Sequence, residues 1–221
     1  MLYYITDRSQ FGGKELDRRR ALLAKVAEGA RCGVDYIQLR EKDLSARELE
    51  LLARDALAAV RNSAPRGTES GERRTRVLIN SRTDVALATG ADGVHLRAED
   101  ITPNEVRQVL KVSVYGPLTT DHFLVAASCH SNEAVKRAEA EDADFTVFAP
   151  VFGKNNVPET QPQGLATLRD ACRAKIPVLA LGGVTMGNAA SCLDAGAAGI
   201  AGIRLFQENK IEDVVRALRV F

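Results

Sequence analysis

No two cysteines of this chain are spaced as a metal or disulfide framework requires. Cys32, Cys129, Cys172 and Cys192 lie far apart, none in a CxxC pair, which excludes a zinc ribbon or a disulfide scaffold and points to buried thiols in a reducing compartment. An excess of one charge is also missing. Thirty Lys and Arg against 29 Asp and Glu leave a formal net charge of +1, so no global field draws the chain to nucleic acid or an anionic membrane, and any phosphate recognition must be local. No apolar run approaches the roughly 20 residues of a membrane-spanning helix. The opening MLYYITDRSQF passes directly into strand-like sequence without a basic segment, a long apolar core or a small-residue cleavage site. That predicts a cytoplasmic protein without a signal peptide.

What remains is ordinary for one soluble domain spanning residues 1–221, with 45% hydrophobic and 27% charged residues and enough chain to bury a sizeable core. The most informative stretch is VLINSRTDVALATGADGVHLRAED, from Val77 to Asp100. It reads as strand, short helix, Gly-containing turn, strand and acidic loop, and two apolar strands joined through a helix form a parallel βαβ unit. The unit recurs. Strands are expected at 2–6, 36–40, 76–80, 93–97, 125–130, 145–149, 178–182 and 199–204. Helical patterns follow them near 15–33, 46–63, 81–89, 103–111, 132–141, 163–175, 186–195 and 211–220. Eight strands, each followed by a helix, predict a single α/β domain folded as a closed (β/α)₈ TIM barrel. The polar, Gly- and Pro-containing stretches 64–75 and 113–123 read as surface insertions on the face opposite the site.

Such a barrel brings strand C-termini together at one mouth, where its sites lie. The residues expected there are Gln38, Arg40, Glu41 and Lys42 after strand two and Asn80 after strand three. Strand four adds His95, Arg97 and then Asp100, and strand five Ser128 and His130. Gly182 and Gly183 follow strand seven, with Ile203 and Arg204 at the end of strand eight. Paired glycines before a helix let backbone N–H groups reach a phosphate, although they also serve as a plain tight turn. Arg204 adds a charge-assisted hydrogen bond to such an anion. Gln38, Arg40 and Lys42 suit a second anion such as a pyrophosphate, unless Arg40 is neutralised by Glu41 or Asp43. Asp100 alone is a weak Mg²⁺ ligand set. His130 suits proton transfer near neutral pH or a satisfied polar role, whereas His95, deeper on its strand, suits structural hydrogen bonding. His122 falls in an insertion and receives no role.

Taken together, YYITDR, IQLREK, LINSRTDVALATGADGVHL, SCHSNEAVKRAEAEDADFTVFAPVF and VLALGGV followed by DAGAAGIAGI resemble the thiamine phosphate synthase and thiazole tautomerase superfamily. The resemblance covers nearly the whole chain in order and implies an enzyme that binds a small-molecule thiazole phosphate as a homodimer, with neither nucleic acid nor membrane as partner. In the synthases a pyrimidine pyrophosphate is joined to a thiazole phosphate and pyrophosphate leaves, with Mg²⁺. Their Gln, Arg and Lys on strand two are present as Gln38, Arg40 and Lys42. Their Asn-Asp after strand three is Asn80-Ser81 here, so one metal carboxylate is absent; the second corresponds to Asp100, preceded by Arg97-Ala98 where Gly-Gln is usual. The Thr-x-Thr-Lys loop after strand six is replaced by GKNNVPETQ, with Lys154 the one candidate stand-in, and Arg204 aligns with a phosphate-site serine. SCHS followed by NEAVKRAEAEDADF is closer to the tautomerase branch, whose strand-five histidine, matched by His130, shifts a proton to give an aromatic thiazole carboxylate phosphate. That reaction needs a phosphate anchor and an acid/base but no cofactor. The expected activity is therefore thiazole tautomerase, with thiamine phosphate synthase as the alternative and a silent phosphate-ligand binder as the second.

Overall fold

In the computed structural model, which describes residues 1–63, 75–111, 123–153 and 161–219, eight parallel strands close into one barrel in chain order. The strands are β1 (Leu2–Ile5), β2 (Tyr36–Leu39), β3 (Arg76–Asn80), β4 (Gly93–Leu96), β5 (Leu124–Cys129), β6 (Phe145–Phe148), β7 (Val178–Ala180) and β8 (Gly199–Gly202). The helices that cross between them are α1 (Glu15–Cys32), α2 (Ala46–Ser63), α3 (Thr83–Thr89), α4 (Pro103–Lys111), α5 (Asn132–Ala140), α6 (Gly164–Ala171) and α7 (Ala189–Asp194). After β8 the chain forms two helices, α8 (Arg204–Gln207) and α9 (Ile211–Leu218). Closure is made by β1 against β8, with Tyr3 opposite Ala201. The expected barrel is therefore the observed one, and the insertions proposed at 64–75 and 113–123 lie almost entirely outside the described residues.

The pleat divides each strand between two apolar layers. Ile37, Leu39, Val77 and Ile79 face outward, where they meet helix faces such as Leu49, Leu52, Ala53, Ala56, Leu57 and Val60 of α2. Those six recur at helical spacing, which is why α2 lies flat on the sheet. Inward-facing Tyr3, Leu78, Phe145, Val147 and Leu179 fill the barrel. Tyr36 stacks on Phe145 with ring centroids 4.9 Å apart, and Tyr3 meets Phe145 edge-on at 5.4 Å. This aromatic plug fills the lower barrel, with Arg76 beside Tyr36 beneath it, and the inward positions above it towards the mouth are polar.

An acidic residue just before β2, β4 and β6 pegs each strand to its predecessor. Asp35 accepts from the Leu2 N–H at 2.7 Å, Asp92 from Val77 at 2.8 Å and Asp144 from Val125 at 2.6 Å. Before β8 the corresponding residue is Ala198, which keeps the backbone bond to Val178 at 2.8 Å but has no carboxylate. The chain thus repeats in pairs of βα units, and the pegs fix parallel register where helix hands over to strand.

Strands end one or two residues earlier than expected at several mouths, because residues such as Arg40, Arg97 and His130 leave the ladder for loops. The expected 186–195 helix begins only at Ala189. Asn188 accepts from the Thr185 N–H at 2.7 Å and donates to the Gly183 carbonyl at 3.0 Å, holding the preceding residues in a turn. The largest correction concerns Arg204, placed at the end of strand eight by its apolar run but found as the first residue of α8.

Asp144 also takes Arg107 Nη2 at 2.8 Å, so Asp144→Ala removes both bonds. Urea unfolding is expected to show a loss of about 1–3 kcal/mol, with Asp144→Asn, which still accepts from Val125, losing less.

Candidate functional site

At the β1–β2 corner a buried cation organises the loops. Arg8 lies just past β1 and gives Nη1 to Glu41 at 3.1 Å and to Asp43 at 2.7 Å, Nη2 to Asp43 at 2.8 Å and Nε to Glu15 at 2.9 Å. Glu41 also accepts from the Arg8 N–H at 3.0 Å and the Thr6 hydroxyl at 2.6 Å, and that hydroxyl accepts from the Arg40 N–H at 3.1 Å. Hydrogen bonding to Arg8 holds the Asp43 carboxyl below its usual value despite some opposing burial. Both carboxylates that stood to neutralise Arg40 are thus committed elsewhere. The Arg40 guanidinium has no hydrogen bond or ion pair among the described residues. Beside it on the inward face, the Gln38 side chain is buried with its Nε2 unpartnered, and an orphan buried donor of this kind is costly unless a ligand completes it. Lys42 follows on the exposed rim.

The β4–β5 corner holds a three-member chain. His95 is buried, with Nδ1 3.0 Å from the Tyr3 hydroxyl and Nε2 2.8 Å from the Ser128 hydroxyl. Burial, aided by the nearby Arg40 cation and opposed by Asp100, pushes its pKa down from 6.5 to about 3. The ring is therefore neutral, donates to one hydroxyl and accepts from the other, and fixes the Ser128 side chain at the mouth. The structural role expected of His95 fits this placement. His130 comes next on the exposed rim, its Nδ1 2.7 Å from the Ala149 carbonyl. A carbonyl only accepts, so Nδ1 carries the proton and Nε2 keeps its lone pair in the neutral ring.

Between these corners, Asn80 donates to the Ser81 hydroxyl at 3.0 Å, and Ser81 adopts a left-handed φ of 63°, a conformation that costs a non-glycine residue strain. The Ser81 side chain lies near Asp100 and helps to hold its carboxyl low. Asp100 accepts the Arg97 N–H at 2.7 Å and Arg97 Nη2 at 2.9 Å. Burial raises the Asp100 carboxyl, but the bonds from Arg97, with the Ser81 side chain nearby, outweigh it and hold the group below its usual value. The expected metal carboxylate is thus occupied by a guanidinium, and no cluster of three or more His, Cys, Asp or Glu suited to a metal exists among the described residues.

The third corner lies after β7 and β8. Gly182 and Gly183 have φ of 93° and 64°, and a Cβ at Gly183 would sit 2.7 Å from the Gly153 carbonyl oxygen. Only glycine fits this turn. The N–H groups of Gly183, Ile203 and Arg204 have no backbone carbonyl partner among the described residues, and those of Ile203 and Arg204 stand at the start of α8. Gln207 locks α8 to β1 by accepting from the Asp7 N–H at 2.9 Å and donating to the Asp7 carbonyl at 3.0 Å. A short extra helix after strand eight, facing a glycine turn after strand seven, is the usual phosphate cradle of this architecture. Arg204 is exposed beside it. Lys154 lies outside the described residues.

The family model described as "Thiamine monophosphate synthase" matches residues 2–206. The chain belongs to the thiamine monophosphate synthase family. It is 40% identical over 208 residues to "Putative thiamine-phosphate synthase 2" of Aquifex aeolicus, covering 94% of this chain and 97% of that one. To the thiamine-phosphate synthase of Methanoculleus marisnigri it is 36% identical over 221 residues, covering 99% and 93%. Among solved structures, thiamine phosphate pyrophosphorylase from Pyrococcus furiosus superposes with a TM-score of 0.76 at 27% identity, over 99% of this chain and 93% of that one. Membership in the thiamine monophosphate synthase family makes the chain an enzyme of thiamine biosynthesis. It does not specifically support the tautomerase reading, since these relatives carry the synthase name. The Mg²⁺ implied for synthase chemistry meets a poor fit here: Ser81 offers a neutral hydroxyl, and Asp100 already holds Arg97.

Sequence reading passed over Arg8, Tyr3 and α8. Each had a signal: a cation directly after a strand end, a tyrosine facing into the barrel beside a histidine, and IRLFQ following the last strand.

The His95 shift sets a stability slope. The folded ring stays neutral to about pH 3 while the unfolded one binds a proton near 6.5, so stability is full above 6.5 and falls as pH drops between those values. Urea unfolding from pH 7 to pH 4 is expected to lose about 1.4 kcal/mol per pH unit through this group, and His95→Gln to remove that component of the slope.

Proposed function

We propose that the chain is a thiamine-phosphate synthase, a transferase that joins a pyrimidine pyrophosphate to a thiazole phosphate. The geometry that this reading builds on is the pair of anion stations flanking β1, which tautomerisation would share: the unneutralised Arg40 with the orphan Gln38 donor on one side, and the glycine turn with α8 on the other. Relatives named as synthases along nearly the full chain support it. In this reading the thiazole phosphate sits on the N–H groups of Gly183, Ile203 and Arg204. Arg40, Gln38 and Lys42 receive the pyrophosphate. The Ser128 hydroxyl, fixed by His95, hydrogen-bonds the ring held between them. The C–O bond to pyrophosphate breaks as the thiazole nitrogen bonds the freed carbon, and the charge that develops on the leaving oxygens is met by fixed donors in place before reaction. Removing the Arg40 charge by Arg40→Ala is expected to cut kcat/KM at least about 100-fold.

A second reading, thiazole tautomerase, is favoured by one specific observation, the exposed His130 ring whose Nε2 keeps a lone pair at the mouth. There the phosphate would keep the same cradle, Arg40 and Gln38 would hold a carboxylate, and no cofactor would be required. Incubation of the protein with pyrimidine pyrophosphate and thiazole phosphate, followed by thiamine phosphate formation, tests the first reading, with the thiazole tautomer as a parallel substrate. Thiamine phosphate at a useful rate carries the synthase; isomerisation alone overturns it. In that second case His130→Ala is expected to lower kcat by about 10²–10⁴ with KM little changed, and an unchanged kcat removes His130 from the chemistry.

A further inference from the structure

The carboxylate end of the mouth has been rebuilt around a cation that belongs to the chain. Asp100 accepts from both the backbone and the guanidinium of Arg97, and the Asp100 N–H bonds the Arg97 carbonyl at 3.2 Å, closing a tight turn. The Ser81 hydroxyl accepts from Asn80 and lies near Asp100, a neutral group where the resemblance has a second carboxylate. Asp100 is only 11% exposed while Arg97 is 50% exposed, so the carboxylate serves as an anchor and the guanidinium as the working group. Of the five N–H donors of Arg97, Asp100 takes Nη2 at 2.9 Å and Nε at a longer 3.3 Å. The Nη1 donors have no partner among the described residues. Arg97 lies two residues beyond inward-facing His95, and both Arg40 and Asp100 are close enough to act electrostatically on that ring. Arg40 and the Arg97–Asp100 pair thus flank the same buried histidine from strands two and four.

The charge balance is informative. Relative to the two-carboxylate pattern of the resemblance, serine at 81 removes one negative charge and arginine at 97 adds one positive charge. The protein at this corner is more positive by the charge of one divalent ion. We infer that Arg97, anchored on Asp100, takes the place of a metal ion in neutralising the pyrophosphate at this mouth, so that pyrophosphate binding is metal-independent. The inference rests on the synthase reading for the identity of the anion. A guanidinium suits the task because it presents planar paired donors to phosphate oxygens and needs no recruitment from solution.

Calorimetric titration of the purified protein with inorganic pyrophosphate, in EDTA and then in MgCl₂, tests this without turnover. The wild type is expected to bind in EDTA, with Mg²⁺ changing the affinity less than about threefold. Arg97→Ala should weaken metal-free binding about tenfold or more, as loss of a charge-assisted bond requires, and Arg97→Lys should retain part of it. The double variant Ser81→Asp/Arg97→Gly should bind weakly in EDTA and recover with Mg²⁺. Wild-type binding that requires Mg²⁺, or an Arg97→Ala protein with unchanged metal-free affinity, overturns the inference; the first result needs no variant to fold. Metal-free pyrophosphate binding that depends on Arg97, without thiamine phosphate formation, sinks the synthase reading and leaves the inference standing. Thiamine phosphate formation with strictly Mg²⁺-dependent pyrophosphate binding does the reverse, and no pyrophosphate binding under either condition defeats both.

Discussion

Closure of eight parallel strands, with β1 laid against β8, is the constraint from which the rest follows. A closed parallel sheet has one inner face, and each strand can place only alternate residues on it. Tyr3, Tyr36 and Phe145 spend the lower inner positions on an aromatic plug. The upper positions, Gln38, Asn80, His95 and Ser128, then have no apolar neighbours to replace them, and their polar atoms must pair with one another or with a ligand. His95 and Ser128 do the first. Gln38 Nε2 does not, and a donor left buried without a partner is where a binding site announces itself chemically.

A chain with a net charge of only +1 obtains a cationic mouth by assigning its carboxylates. Arg8 draws Glu15, Glu41 and Asp43 to one buried point, away from Arg40, and the same cluster fixes the Arg40 backbone through Thr6. Across the mouth, Asp100 is spent on Arg97. Positive potential therefore comes from how acids are paired, not from surplus bases, and no overall charge statistic would reveal it.

The alternation of strands and helices was readable because buried parallel strands are short continuous apolar runs, and helices repeat near 3.6 residues. Ends were less readable, since a strand stops where its ladder partner stops, and a partner many residues away leaves no local mark. Arg204 shows the difficulty: GIAGIR is apolar to its last residue, yet only Gly199–Gly202 find ladder partners before α8 begins. Gly182 and Gly183 were readable as a turn because no other residue tolerates their φ. Asp100 could be placed at the mouth from sequence, but its pairing could not, because whether it faces a metal or Arg97 depends on the turn from Arg97 to Asp100 and on the left-handed Ser81. The Asp35, Asp92 and Asp144 pegs repeat before alternate strands and were visible in VDY, ADG and ADF, although an acid before a strand reads first as a loop residue.

The two reactions considered for this mouth share an anchor and differ in where charge moves. Both need a phosphate held at α8 and a cation at Arg40. In the proposed transfer, negative charge develops on the departing pyrophosphate, and the guanidinium groups of Arg40 and Arg97 would offset it. A proton shift instead moves charge within one ring and needs a base close to neutral pH, for which a second guanidinium contributes little. Arg97 on its buried carboxylate is therefore hard to explain by tautomerisation alone: a thiazole carboxylate phosphate already has Arg40 for one anion and the glycine cradle for the other. A third station is useful only when one substrate brings a pyrophosphate as well as a partner that carries a phosphate, which is why the rebuilt corner at Ser81, Arg97 and Asp100 weighs towards transfer even though it departs from the familiar metal pattern.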